Sequence, residues 1–516
     1  MKKLTTFALL LFTAFAIVAQ TGEIMEQYDI ISGKNYKNNG SILAKEFAFE
    51  DKIDQFYLDT TTNTVTLQLL EKNKNWNFVN MPGRIVLFDL KTNNIRWDKK
   101  LMYPQDKFEQ FGDVIFEKTM YKSNYLNIEN GTTNSELKNT IYHCDPIRKI
   151  GIGYKINFGG DVTNNLQAID LRTNNVLWKR QITHQFGWNS VSNLNDSVLL
   201  LVSDGLHIFN VNTGFGWDYE CTTGRNDYTA TILTNVFGIA LGVLTGTFVT
   251  STGHDQVTDL TSNALIDSTN IYIASRDKLS CLSFDGSLKW SSPLDKKMMS
   301  KSSIFMKDSL VYIINKGYAF MNNAQIDYGK PLFTAFNKNT GKQAFISLIL
   351  KNNYQIKDFQ VFKDSVLIYS KDNISTYSLN GGSQISDKYI NTETTGEVDG
   401  FVGNQVFIKV DSTYKSLVSI DNTKHYLTTL KNKVLVANNQ LEITQQIDFD
   451  KLYICYHTTK NYRFLAKGDD TIVIDKNNKI VADFKSSSNA ILVGTKLIDM
   501  LEKSIIVIDL SELLEK

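Results

Sequence analysis

The sequence predicts an all-β fold, a β-propeller of seven or eight four-stranded blades with eight favoured, carrying an apolar insertion at about 220–262. Three observations predict it. A short strand–turn–strand phrase recurs along the chain. Its turn residues return at the spacing that four strands require. No long amphipathic helix with caps interrupts the strand-like texture.

The phrase is clearest at Ile85–Trp97, where Asp89-Leu90-Lys91-Thr92-Asn93-Asn94 leads to Trp97. It returns at Leu166–Trp178, with Asp170 to Trp178 at the same spacing and Thr173-Asn174-Asn175 unchanged. Looser copies run from Asn210 through Thr213-Gly214 to Trp217, from Asp285-Gly286 to Trp290, and from Asn337 through Thr340-Gly341 to Phe345. The apolar run before each Asp or Asn reads as a strand covered on its faces. The Asp or Asn side chain accepts backbone amides two residues on and starts a turn. Asn or Gly then supplies the positive φ that a hairpin demands. The closing Trp or Phe is a large apolar plug suited to the gap between neighbouring sheets.

Turn anchors at Asp89, Asp170, Asn210, Asp285, Asn337, Asn380, Asp421 and Asp475 are spaced 81, 40, 75, 52, 43, 41 and 54 residues apart. Four strands with their turns need about 40–50 residues, so the pattern is that of blades with insertions. The long first interval leaves room for a blade without the phrase. Residues 20–516 are read as one propeller domain, because repeat folds escape the size limit of a single core.

Residues 1–19 read as a signal peptide that is removed: Lys2 and Lys3, an apolar stretch from Phe7 to Val18, and Ile17-Val18-Ala19 as the cleavage site before Gln20. The run is shorter than the ~20 residues of a membrane span. Loss of the two lysines turns the formal charge of +1 into about −1, which offers no long-range attraction to nucleic acid or anionic lipid. Cys144, Cys221, Cys281 and Cys455 permit two disulfides in an oxidising compartment, with three pairings open, or four free thiols.

The Asp-x-x-Thr-(Gly/Asn)-x-x-x-Trp phrase resembles the repeat of pyrroloquinoline-quinone-type propellers, over about residues 80–345. That family includes quinoprotein dehydrogenases and a non-enzymatic lipoprotein of outer-membrane-protein assembly, and the chain resembles the latter more. The dehydrogenases imply a vicinal Cys-Cys disulfide, a stacking Trp, a calcium site and a catalytic Asp. This chain has no Cys-Cys pair. Asp89, Trp97, Asp170, Trp178, Trp217 and Trp290 are accordingly read as structural residues of the blades.

No catalytic, cofactor-binding or metal-binding residue is assigned, and no cofactor is expected. The six histidines stand singly, without H-E-x-x-H spacing. His143, Cys144 and Asp145 are adjacent, but neighbours on a strand point to opposite faces. No P-loop, G-x-S-x-G or dinucleotide fingerprint is present.

One stretch does not fit the repeat. Residues 228–254 contain no Asp, Glu, Lys or Arg, and their centre includes Phe237, Ile239, Leu241, Val243, Leu244 and Phe248. Leaving ~400–600 Å² of such surface in water costs on the order of 10–15 kcal/mol, so something must cover it. The cover is its own propeller or a partner, and the six residues are the expected partner-binding set.

The sequence therefore predicts an exported, periplasmic, non-catalytic propeller that serves as a protein-binding platform. The expected partner is another protein, an outer-membrane β-barrel of an assembly or secretion complex, for which the chain is an accessory or a channel plug. No nucleic acid is expected, and membrane contact is indirect or through 228–254. The alternative is a quinone-cofactor-dependent dehydrogenase.

Overall fold

The computed structural model describes residues 26–70, 83–101, 106–227, 255–321, 324–349, 355–370, 372–402, 405–411, 413–417 and 424–515. The described chain is all-β, apart from isolated helical turns at Thr392–Thr395, Phe449–Lys451 and Ser511–Leu514. No described helix is long and apolar enough to cross a membrane.

The recurring unit is a four-stranded antiparallel meander, the kind of sheet from which a β-propeller is built. The first one runs Lys52–Asp59, Thr64–Leu70, Gly83–Asp89 and Asn94–Lys100. Its two central strands are buried almost throughout, whereas its fourth strand alternates and buries Trp97. This is the pattern of a sheet covered on both faces at its centre and wetted along its outer edge.

The turn between the third and fourth strands explains the repeated phrase. Asp89 Oδ1 accepts the N–H groups of Lys91 (2.8 Å) and Thr92 (3.0 Å). Asn93 takes φ +57°, and the register slips by one residue between Leu87 and Phe88. A turn followed by a left-handed residue produces this bulge. The same slip occurs two residues before the turn at Cys281, Ala335, Thr376, Val436 and Val473.

Contacts divide the chain into two compact units. One comprises Met1–Lys179, Val410–Tyr414 and Tyr453–Lys516, the other Arg180–Lys409 and Lys415–Leu452. In the first unit the hydrophobic clusters lie between successive sheets. Phe47, Val65 and Phe88 meet Ile498 and Ile505 in one cluster, and Ile85 and Trp97 meet Phe108 and Ile115 in the next. In the second unit Tyr272 and Cys281 pack against Val311 and Phe336, and Tyr312 and Phe333 against Val366 and Tyr377.

The N-terminal hairpin stitches two sheets of the first unit together. Its strands β1 (Glu26–Asn35) and β2 (Gly40–Ala48) pair with each other over their whole length. β1 also pairs with Ile480–Lys485 through Gly33, Lys34 and Asn35. β2 pairs with Ser504–Asp509, from Ala44 opposite Ile508 to Ala48 opposite Ser504. The last meander, Ile491–Val493, Lys496–Met500 and Ser504–Asp509, thus receives its fourth strand from the other end of the chain.

Among the described residues, meanders of this kind number five in each unit, and the expected count of seven or eight blades is not confirmed. Three of them hide from the repeat for identifiable reasons. The sheet of Lys107–Leu137 turns at Asn127 and has Ser135 where the phrase has Trp. The sheet of Val398–Asp448 turns at Asn438, whose side chain accepts the N–H groups of Gln440 and Glu442. The expected anchor Asp421 lies outside the described residues. The last meander borrows β2, so its strands are not consecutive in sequence.

One further four-stranded sheet is not a meander. Arg225–Asp227, Asp255–Thr258, Tyr318–Met321 and Ala324–Asp327 form it in that order.

Candidate interaction site

Four aromatic residues of the phrase, Trp97, Trp217, Trp290 and Phe345, each lie over a glycine of the following turn. Trp97 Nε1 donates to the Ile128 carbonyl (2.8 Å), and its ring covers Gly131 in the next turn. A Cβ at Gly131 would lie 2.6 Å from Trp97 Cε3, and Gly131 has φ +68°, so both space and backbone require glycine. Trp217 donates to Phe284 (2.9 Å) over Gly286, and Trp290 to Lys338 (2.9 Å) over Gly341. Phe345 covers Gly382 in the same way but has no N–H to give. Trp178 is buried at 8 % exposure on the Asn175–Gln181 strand.

The carbonyl that meets the indole N–H elsewhere is Leu379 in the Phe345 turn, and the Tyr312 hydroxyl donates to it (3.3 Å). Each of these four docks therefore keeps a donor on the turn carbonyl.

The acidic turn residues are held as anions. Burial opposes ionisation of Asp89, yet the Thr92 amide, the Arg96 guanidinium (2.7 Å) and the Lys91 amide together bring its carboxyl below the usual range. Arg172 does the same for half-buried Asp170, through its guanidinium (3.1 Å) and its own amide. The Ser283 hydroxyl (2.5 Å) and the Ser287 amide bring Asp285 down to about 2.

His143, Cys144 and Asp145 lie on one strand, Asn139–Asp145. Burial pushes the His143 pKa down and the Cys144 thiol up, while Asp145 is bonded to Arg148 (2.7 Å). All four cysteines are free thiols. Among the described residues no group of three His, Cys, Asp or Glu side chains is placed to hold a metal.

The six candidate partner-binding residues, Phe237, Ile239, Leu241, Val243, Leu244 and Phe248, lie outside the described residues. The structure does describe both ends of the stretch that carries them. Asp227 stands opposite Asp255, Asn226 opposite Gln256 and Arg225 opposite Val257. Val257 in turn faces Met321 across the added sheet. The uncharged stretch thus leaves and re-enters the fold at paired neighbours. Sequence reasoning found the stretch from its missing charge, but not its stem, because three-residue strands leave no periodicity to read.

No protein-family model matches the chain, and no curated protein sequence matches it. Among solved structures it is similar to BamB from Moraxella catarrhalis (11% identity, 78% of this chain and 96% of that one, TM-score 0.31). It is also similar to Hsv2p from Kluyveromyces lactis (9% identity, 67% and 98%, TM-score 0.28). A third is the dihydro-heme d1 dehydrogenase NirN in complex with DHE (11% identity, 72% and 73%, TM-score 0.32). At these TM-scores the likenesses carry nothing about function.

Proposed function

We propose that the protein is an exported, non-catalytic β-propeller that acts as a protein-binding platform in the periplasm. Its partner is an outer-membrane β-barrel of an assembly or secretion complex, which it serves as an accessory or as a channel plug. The 228–254 stretch is the docking element, with Phe237, Leu241 and Leu244 at its centre. One observation carries this reading: a stretch without a single charge is mounted on a two-stranded stem, Asp227 opposite Asp255, in a sheet added to the regular meanders. Apolar surface of that size normally marks an interaction site, and function resides in such grafts on a scaffold.

Two experiments test it. Photo-crosslinking from positions 237 and 241 in the native envelope is expected to trap a membrane β-barrel; recovery of unrelated soluble proteins alone would remove the reading. A mild-detergent pull-down of the tagged chain is expected to bring the same barrel down, and isolation as a lone monomer would count against it.

A further inference from the structure

Asparagine is followed by glycine at Asn39-Gly40, Asn130-Gly131 and Asn380-Gly381. Such a pair is chemically labile, because glycine has no Cβ to shield its amide nitrogen. That nitrogen can attack the Cγ of the preceding side chain and close a five-membered imide. The fold treats the three pairs differently.

In two of them the reacting groups are engaged. The Gly131 N–H donates to the Asn127 carbonyl (2.8 Å), and Asn130 Oδ1 accepts the N–H (3.0 Å) and the hydroxyl (2.7 Å) of Thr132. The Gly40 N–H donates to Asn38 Oδ1 (2.9 Å), and Asn39 sits at φ +58° in the turn between β1 and β2. Attack by either nitrogen must first break a hydrogen bond.

Asn380-Gly381 lacks these restraints. Both residues are exposed. Among the described residues, neither the Asn380 side chain nor the Gly381 N–H has a hydrogen-bond partner. A Cβ built on Gly381, at φ +87°, would meet nothing within 4 Å. The bonds of this turn pass around the pair instead. The Asn380 N–H donates to Ser378 Oγ, which donates in turn to the Asn380 carbonyl (3.1 Å each), and the Gly382 N–H donates to the Ser378 carbonyl (3.1 Å).

We propose that Asn380 is a site of spontaneous deamidation, selected by the fold from the three asparagine–glycine pairs. The Gly381 nitrogen bonds to Asn380 Cγ, the Cγ–Nδ2 bond breaks, and the side-chain nitrogen leaves as ammonia with the proton of the Gly381 amide. Water then opens the succinimide. Cleavage of the Cγ–N bond leaves aspartate; cleavage of the backbone C–N bond leaves isoaspartate, whose main chain runs on through Cγ. Neither step needs an oxidant or an enzyme.

The position makes the product consequential. The turn lies beneath Phe345, whose Cδ2 would come within 2.3 Å of a Cβ on Gly382. The Ser347 hydroxyl donates to the Gly382 carbonyl (2.6 Å) and the Tyr312 hydroxyl to that of Leu379 (3.3 Å). Isoaspartate adds one main-chain atom between Leu379 and Gly382, so the dock cannot keep all these contacts. Ageing at Asn380 therefore loosens one interface of the second unit. The site is independent of the 228–254 stretch, so either proposal can fail without the other.

The test ages the full chain at mildly alkaline pH and follows conversion to aspartate and isoaspartate by peptide mass spectrometry. In the folded chain Asn380 is expected to convert about fivefold or more faster than Asn39 and Asn130, the factor that one broken hydrogen bond imposes. In denaturant the three rates should converge. Ageing should lower the melting temperature of the parent but not that of Asn380→Ser. Conversion of Asn39 or Asn130 as fast as Asn380 in the folded chain, or no conversion at Asn380, would overturn the proposal whether or not the variant folds. Equal melting losses in the aged parent and a folded Asn380→Ser would overturn the loosening of the dock.

Discussion

The indole of Trp290 lies so close to Gly341 that a methyl group there would come within 2.5 Å of its Cε3, while its Nε1 donates to Lys338 three residues earlier in the same turn. Shape and hydrogen bonding thus lock one sheet to the next through a single side chain.

The two contributions of that lock should separate by mutation. Trp290→Phe keeps most of the ring and loses the hydrogen bond, costing about 0.5–1.5 kcal/mol. Trp290→Ala leaves a cavity and costs about 3–5 kcal/mol. Gly341→Ala forces the ring away and strains a backbone at φ +70°, costing about 1–3 kcal/mol or more. Denaturant midpoints rank the three; a Gly341→Ala protein as stable as the parent would contradict the contact.

Tyr312 and Phe345 divide the task that one Trp performs elsewhere. Tyr312→Phe should cost about 1 kcal/mol by leaving the Leu379 carbonyl unmet. In a Phe345→Trp background the same change should cost less, because the indole N–H reaches that carbonyl. A double-mutant cycle measures the difference, and purely additive costs would show that the two donors do not substitute for each other.

Asp89 should make the fold acid-sensitive. Its carboxyl is depressed in the folded state, so its contribution is fully present above the unfolded carboxylate value of about 3.9. It is lost as the pH falls through the lower folded value. Unfolding titrations across this range should show a shallower acid loss for Asp89→Asn than for the parent, together with lower stability at neutral pH. Parallel pH profiles would show that the Arg96 and turn contacts do not stabilise the anion.

Removing 228–254 should spare the scaffold. Asp227 and Asp255 are already paired, so joining them through a short turn lowers the loop-closure cost by only about 1–2 kcal/mol. The melting curve should stay nearly unchanged while capture of the membrane partner is lost. Collapse of the fold on deletion would mean that the stretch belongs to the core.

Much of the fold was legible because a tight turn is a local event. Asp89, Thr92 and Asn93 act on one another within five residues, so their chemistry prints directly into the sequence and repeats with each sheet. Where the turn uses other residues, as at Asn127 and Asn438, or where Ser135 replaces the ring, the sheet forms equally well and the pattern falls silent. The candidate docking stretch was legible in the same way, from a missing charge rather than from a motif.

Sequence alone determined the all-β character, the strand–turn–strand unit and the uncharged stretch, since each rests on periodicity or on neighbours along the chain. Tertiary structure alone decided which segments meet. Lys45 opposite Val507, Lys496 on the Leu90 carbonyl and Tyr312 on Leu379 join residues tens to hundreds of positions apart. Pairing across such distances is chosen by the packing of whole sheets, and no local preference of the residues involved announces it.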